Sequence, residues 1–197
     1  MDTTTTRRLL AAFRLPWAGL ALAAGLAGCA PGRELPFLPA GPPNSFQLGV
    51  ADQVRVITYG EEQLSGTFRV GDDGTIAVPL LGDVKAQGLT TRRLADRIVA
   101  ELKGRNLLRE PSVSVEILSY RPVFVLGEVA KPGEYPYQPG MTLLTLVTVA
   151  GGFTYRAVED YASVVRTEDG QEAAKGRLLP EAFLKPGDVV KVYDRVF

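Results

Sequence analysis

Apolar and polar residues alternate along Gln53-Val-Arg-Val-Ile-Thr58 and again along Gly66-Thr-Phe-Arg-Val70, a period of two that predicts β-strands. Gly71-Asp72-Asp73-Gly74 then supplies a turn and Thr75-Ile-Ala-Val78 returns, so residues 66–78 read as a hairpin. Pro79 ends that pairing, and residues 80–85 can start a further short strand. From Thr90 the period lengthens: Leu94, Ile98 and Leu102 recur every four residues with Ala95 and Val99 beside them. Thr90 is placed to cap this helix and Gly104 to end it.

Strict alternation resumes in Ser112-Val-Ser-Val-Glu-Ile117, and Pro122-Val-Phe-Val-Leu126 predicts another strand. Lys131-Pro-Gly-Glu134 is a turn, and Pro136 and Pro139-Gly140 keep the next stretch irregular. Thr142 can cap a short second helix running to Ala150 and stopped by Gly151-Gly152. Ala162–Arg166 then reads as a strand, followed by the turn Glu168-Asp169-Gly170, and Val189–Tyr193 as a strand after Lys185-Pro-Gly-Asp188. Strands outnumber helices and each helix falls between groups of strands, so the expected fold is α+β. Two small units, residues 47–119 and 120–197, are expected to meet near Tyr120.

Upstream the pattern is of another kind. Arg7, Arg8 and Arg14 lie in a polar stretch, followed by 14 uncharged residues, Leu15 to Gly28, that carry Pro16. A bilayer-spanning helix needs about 20 apolar residues, so this order fits a secretory signal (residues 1–28) better than a permanent span. Arg7-Arg8-Leu9-Leu10 is a faint twin-arginine pattern, yet a general secretion signal also needs basic residues there. Leu26-Ala27-Gly28-Cys29 resembles the lipobox of bacterial lipoproteins, which implies cleavage before Cys29 and acylation of its thiol. The bland alternative, a buried free thiol in a core, suits a residue within a packed segment, and Cys29 stands at a processing boundary. Ala30, where an Asp commonly retains bacterial lipoproteins at the inner membrane, points the resemblance to the outer membrane. Residues 29–46 hold five prolines without periodicity and are expected to form an extended, unpacked spacer.

Lys plus Arg and Asp plus Glu each total 22, and loss of Asp2, Arg7, Arg8 and Arg14 with the signal lowers the net charge from 0 to −2. No basic excess suggests nucleic acid. With one cysteine, no intramolecular disulfide forms. With no histidine, neither Ser-His-Asp nor Cys-His chemistry is possible, and the usual zinc ligand sets are missing. The acidic pairs Glu61-Glu62, Asp72-Asp73, Glu159-Asp160 and Glu168-Asp169 are nominal glycosidase candidates, but most flank turns, where carboxylates serve the backbone. No calcium-loop spacing surrounds Asp72-Asp73, and no cofactor is expected.

Leu64-Ser-Gly-Thr-Phe-Arg-Val70, Gly74-Thr-Ile-Ala-Val-Pro-Leu-Leu-Gly82, Gly88-Leu-Thr90 and Pro111-Ser-Val-Ser-Val-Glu116 resemble the export domain of bacterial outer-membrane polysaccharide export proteins. Arg121–Val129, Lys131-Pro-Gly-Glu-Tyr135 and Ala150-Gly-Gly-Phe-Thr154 resemble the soluble-ligand-binding β-grasp (SLBB) domain that follows it in that family. The resemblance implies a non-enzymatic, homo-oligomeric ring in the periplasm that passes polysaccharide and works against an inner-membrane polysaccharide co-polymerase. Gly49-Val-Ala-Asp52 departs from the family's Gly-Pro-Gly-Asp, so this turn is expected to be built differently. A single β-grasp unit, with no closing apolar segment, resembles the short members and implies a separate outer-membrane barrel. The alternative is a lipoprotein adaptor that binds peptidoglycan or another envelope protein without forming a conduit.

Besides Cys29, candidate contacts are few. Arg92, Arg93 and Arg97 form a basic helix face, a solvated surface or a site for a partner or acidic glycan. Gly151 and Gly152 end a helix or admit a neighbouring subunit's backbone. Tyr120, Tyr135, Tyr137 and Tyr155 can stack on sugars or pack beside strands.

Overall fold

In the computed structural model, residues 31–38, 46–167 and 173–195 are described. Two hydrophobic cores organise them, one built from residues between Leu48 and Leu102, the other from residues between Val123 and Val192. The architecture is α+β, as the alternation of periods predicts.

In the first unit β1 (Gln53–Thr58) is the centre of a three-stranded antiparallel sheet between β2 (Gly66–Arg69) and β5 (Val113–Ser119). Its alternation sends Val54 and Val56 inward, where they meet Leu94, Ile98 and Leu102 of α1 (Thr91–Gly104). Thr90 caps that helix by accepting the Arg93 amide at 3.2 Å. The hairpin expected over residues 66–78 does not form. β2 spends its bonds on β1, and the pairing continues beyond the strands through Ala51 N to Val70 O and Val70 N to Asp52 O, both 2.9 Å. β3 (Thr75–Val78) pairs instead with β4 (Gly82–Lys85) as a separate two-stranded sheet. Pro79 therefore opens a turn instead of closing the pairing: it stands second, Leu80 stands third at φ 64°, and Leu81 N reaches Val78 O at 3.1 Å.

The second unit is a five-stranded sheet in the order β7-β6-β10-β8-β9, with α2 (Leu143–Val149) after β7. β6 (Val123–Gly127) and β10 (Val189–Val192) run parallel at its centre, and all other neighbours are antiparallel. This is a β-grasp arrangement. Leu143, Leu146 and Val147 of α2 join Val123, Val125, Val164, Val190 and Val192 in the core. Two strands go beyond the sequence reading: β7 (Gly133–Tyr135), placed within the stretch read as turn and irregular chain, and β9 (Ala174–Leu178), paired along β8 (Ala162–Arg166).

The proline-rich segment also differs from expectation. Residues 31–38 are packed on the second unit: Arg177 N donates to Pro36 O (2.8 Å), and Leu38 N donates back to Arg177 O (3.0 Å). Prolines remove donors and fix φ, but they do not prevent docking when the receiving strand supplies the amides.

Candidate functional site

Both cores end at one junction, and it is held by a carboxylate. Asp52 closes the turn Gly49-Val-Ala-Asp52 by accepting the Gly49 amide at 2.7 Å, and it also accepts the Arg121 amide at 2.6 Å and the Arg121 guanidinium at 3.0 Å. Arg121 in turn donates through Nε to Pro186 O at 3.0 Å, and Gly187 N donates to Pro122 O at 3.0 Å. One arginine thus ties the start of β1 to the starts of β6 and β10. Phe46, Tyr120 and Tyr137 stack edge to face beside it, with ring centroids 4.6 and 5.4 Å apart. Burial pushes the Asp52 carboxyl above its ordinary 3.8, against the opposing pull of the Gly49 and Arg121 amides and the Arg121 charge. Burial likewise raises the phenols of Tyr120 and Tyr137, and the Asp52 charge adds to the effect at Tyr120.

The second unit repeats this device. Asp188 closes Lys185-Pro-Gly-Asp188 by accepting the Lys185 amide at 2.8 Å, and Arg166 grips it with two bonds, Nε to Oδ1 at 2.8 Å and NH2 to Oδ2 at 2.7 Å. Both acidic side chains are fully buried. The two turns share a third residue at positive φ, 85° at Gly187 and 74° at Ala51. The departure Gly49-Val-Ala-Asp52 therefore keeps the backbone path and places an alanine where glycine is favoured. Left-handed backbone costs a non-glycine residue roughly 1–2 kcal/mol, and glycine's extra chain entropy returns about 0.5–1 of that. Ala51→Gly is therefore expected to stabilise the protein by about 0.5–1 kcal/mol, read as a raised urea midpoint with an unchanged slope.

The candidates from sequence are scattered. Arg92, Arg93 and Arg97 are exposed on α1; Arg97 borders a shallow open depression with Glu101 and Arg105, which pair with each other at 3.6 Å. Gly151 and Gly152 have φ of 90° and 94° and end α2 by donating to Thr148 O and Val147 O, while Ala130 N donates to Gly152 O. They serve helix termination and the docking of residues 128–130. Tyr137 is buried, Tyr120 and Tyr135 are half-buried, and Tyr155 stands 88% exposed. Asp73 is bound by the Thr75 amide and hydroxyl, which hold its carboxyl below the usual range, as suits a turn residue. Cys29, Glu168 and Asp169 lie outside the described residues. Among the described residues no cluster of three or more His, Cys, Asp or Glu could hold a metal ion, and no helix is long and apolar enough to cross a membrane. The residues that organise the junction, Asp52 and Arg121, were not singled out by sequence reasoning; the available signal was an Asp closing a four-residue turn before a strand in each unit.

Comparison with known proteins adds the family context. The model of the polysaccharide biosynthesis/export protein family matches residues 40–118, and that of the SLBB domain matches residues 122–174. The exopolysaccharide production protein ExoF of Rhizobium meliloti (strain 1021) is 37% identical over 153 residues, covering 69% of this chain and 36% of ExoF. The EPS I polysaccharide export outer membrane protein EpsA of Ralstonia nicotianae is 29% identical over 147 residues, covering 69% of this chain and 38% of EpsA. EpsA of Ralstonia solanacearum is 26% identical over 165 residues, covering 78% and 42%. The chain thus spans less than half the length of these relatives.

Proposed function

The chain belongs to the polysaccharide export protein family, and from that membership we propose that it is a non-enzymatic, lipid-anchored subunit at the periplasmic face of the outer membrane. It forms part of a conduit through which a polysaccharide leaves the cell, in register with an inner-membrane co-polymerase. The observation that carries this reading is the succession of an export domain and an SLBB domain in one chain. The junction supports it, because a subunit of a closed ring must hold its two units at a fixed angle if each copy is to meet the next in the same way. The outward face of the second sheet supports association as well: Phe124 and Leu126 on β6 and Val165 on β8 are large apolar residues left open to solvent.

Lipid on Cys29 supplies the hold on the membrane, since two or more acyl chains anchor stably where one does not. In a strain that relies on this protein for secretion, Cys29→Ser exported behind a cleavable signal is expected to leave washed membranes, collect as folded soluble periplasmic protein and reduce secreted polysaccharide. A Ser variant that stays in washed membranes would remove the lipid from the reading. Unchanged secretion after deletion of the gene would remove export.

A further inference from the structure

α1 carries more positive charge than its fold requires. Arg92, Arg93, Arg97 and Lys103 stand exposed on its outer side, with Asp96 as their exposed acidic neighbour, in a chain whose net charge is 0. No acidic group among the described residues pairs with any of these cations; Glu101, at the border of the strip, is taken by Arg105 at 3.6 Å. Arg92 and Arg93 also occupy the first turn, which holds no acid, so the positive end of the helix dipole works against them. Charges kept where they oppose the local rule point to use and not to folding. Further along, Arg97, Glu101 and Arg105 border a depression whose low floor is Ala100 and Gly104, and a Cβ at Gly104 would meet nothing within 4 Å. From Arg93 to Arg105 the strip runs about 18 Å along the helix.

We infer that this strip binds the exported polysaccharide through carboxylate substituents, so that the chain serves an acidic glycan and not a neutral one. The inference rests on the export reading proposed above and adds to it the chemical class of the cargo. A guanidinium presents two parallel N–H groups that match the two oxygens of a carboxylate. Arg92, Arg93 and Arg97 lie close enough in sequence to engage acidic groups spaced along one flexible chain. The composition of the strip argues against other anionic surfaces. α1 exposes no large apolar residue, its own Leu94, Ile98 and Leu102 being buried, so it offers nothing to insert among lipid headgroups. Protein interfaces are centred on aromatic and apolar residues, which this strip lacks. The chain as a whole has no basic excess of the kind that nucleic acid demands.

The test uses the full chain, purified in detergent from a Gram-negative host, with polygalacturonate and its methyl ester as probes at about 0.15 M salt. Polygalacturonate is expected to bind at least about tenfold more tightly than the ester, which has the same backbone without the charge. Arg92→Gln, Arg93→Gln and Arg97→Gln together are expected to abolish that preference. The same charge removed elsewhere, by Arg55→Gln, Arg69→Gln and Lys131→Gln, is expected to leave it within about twofold of the parent. The α1 variant is also expected to keep a urea midpoint no lower than the parent's, since its first turn loses two opposing cations. Equal binding of acid and ester, equal loss in both variants, displacement of polygalacturonate by phosphatidylglycerol added to the micelles, or a lowered midpoint overturns the inference. Failure of the export reading is seen separately: deletion of the gene with secretion unchanged removes export, whereas secretion that depends on the gene, with no preference for the acid in vitro, removes the acidic cargo alone.

Discussion

Arg166→Leu is expected to destabilise the folded protein by about 3–5 kcal/mol, a large part of the stability of a domain this size. The cause is the group left behind. Asp188 is fully buried and is satisfied by two bonds from Arg166 and one from the Lys185 amide. Leucine fills much of the space and leaves a carboxylate in an apolar surrounding with one main-chain donor. Urea unfolding monitored by far-UV circular dichroism measures the loss. Arg166→Lys separates charge from geometry: it keeps a cation but cannot reproduce the two-pronged grip, so it is expected to fall between Leu and the parent. A Leu variant as stable as the parent would show that the Asp188 turn does not depend on its arginine.

Asp52→Ala is expected to cost about 2–3 kcal/mol, because it strips acceptors from the Gly49 and Arg121 amides and from the Arg121 guanidinium at once. Arg121 keeps its bond to Pro186 and is partly exposed, so the loss is smaller than at the buried Arg166. The distinctive consequence is mechanical: the two units lose their shared bonds while each keeps its own core. Small-angle scattering should show a broadened distance distribution before either unit unfolds. The pH dependence has a fixed sign. Burial raises the native Asp52 carboxyl above 3.8, so between 3.8 and its raised value the native state holds a proton that the unfolded state has released. Relative to Asp52→Asn, which does not titrate there, the parent should gain stability as pH falls from neutral through the raised value towards 3.8, and lose it on the return. A difference that is flat in pH, or of opposite sign, would mean that the bonds from Gly49 and Arg121 outweigh burial.

What the sequence disclosed is what local chemistry decides. Leu94, Ile98 and Leu102 at helical spacing, the Thr90 and Thr142 caps, and the alternation of Val54 and Val56 each act within a few residues, and each is found in place. Partner choice between strands is not local. Nothing in residues 66–78 says that β2 pairs back to β1 while β3 waits for β4 beyond Pro79. β9, Ala-Lys-Gly-Arg-Leu, has little alternation of its own and is made a strand by β8 on one side and Pro36 to Leu38 on the other. The junction was hidden for the same reason, since Asp52 and Arg121 are 69 positions apart.

The docking of residues 31–38 along β9 changes what the sheet shows to other chains. β9 ends the five-stranded order, so an outer row of amides and carbonyls would otherwise lie open to any extended peptide. Phe37 bridges Arg177 in parallel, and the bonds from Arg177 N to Pro36 O and from Leu38 N to Arg177 O occupy that row. Phe37 is flanked at Pro36 by a residue with no amide hydrogen, so the added segment extends the sheet by one short stretch and offers a poor template beyond it. The opposite edge, β7, is three residues long. A segment read from composition as a passive spacer thereby protects the molecule against runaway strand addition.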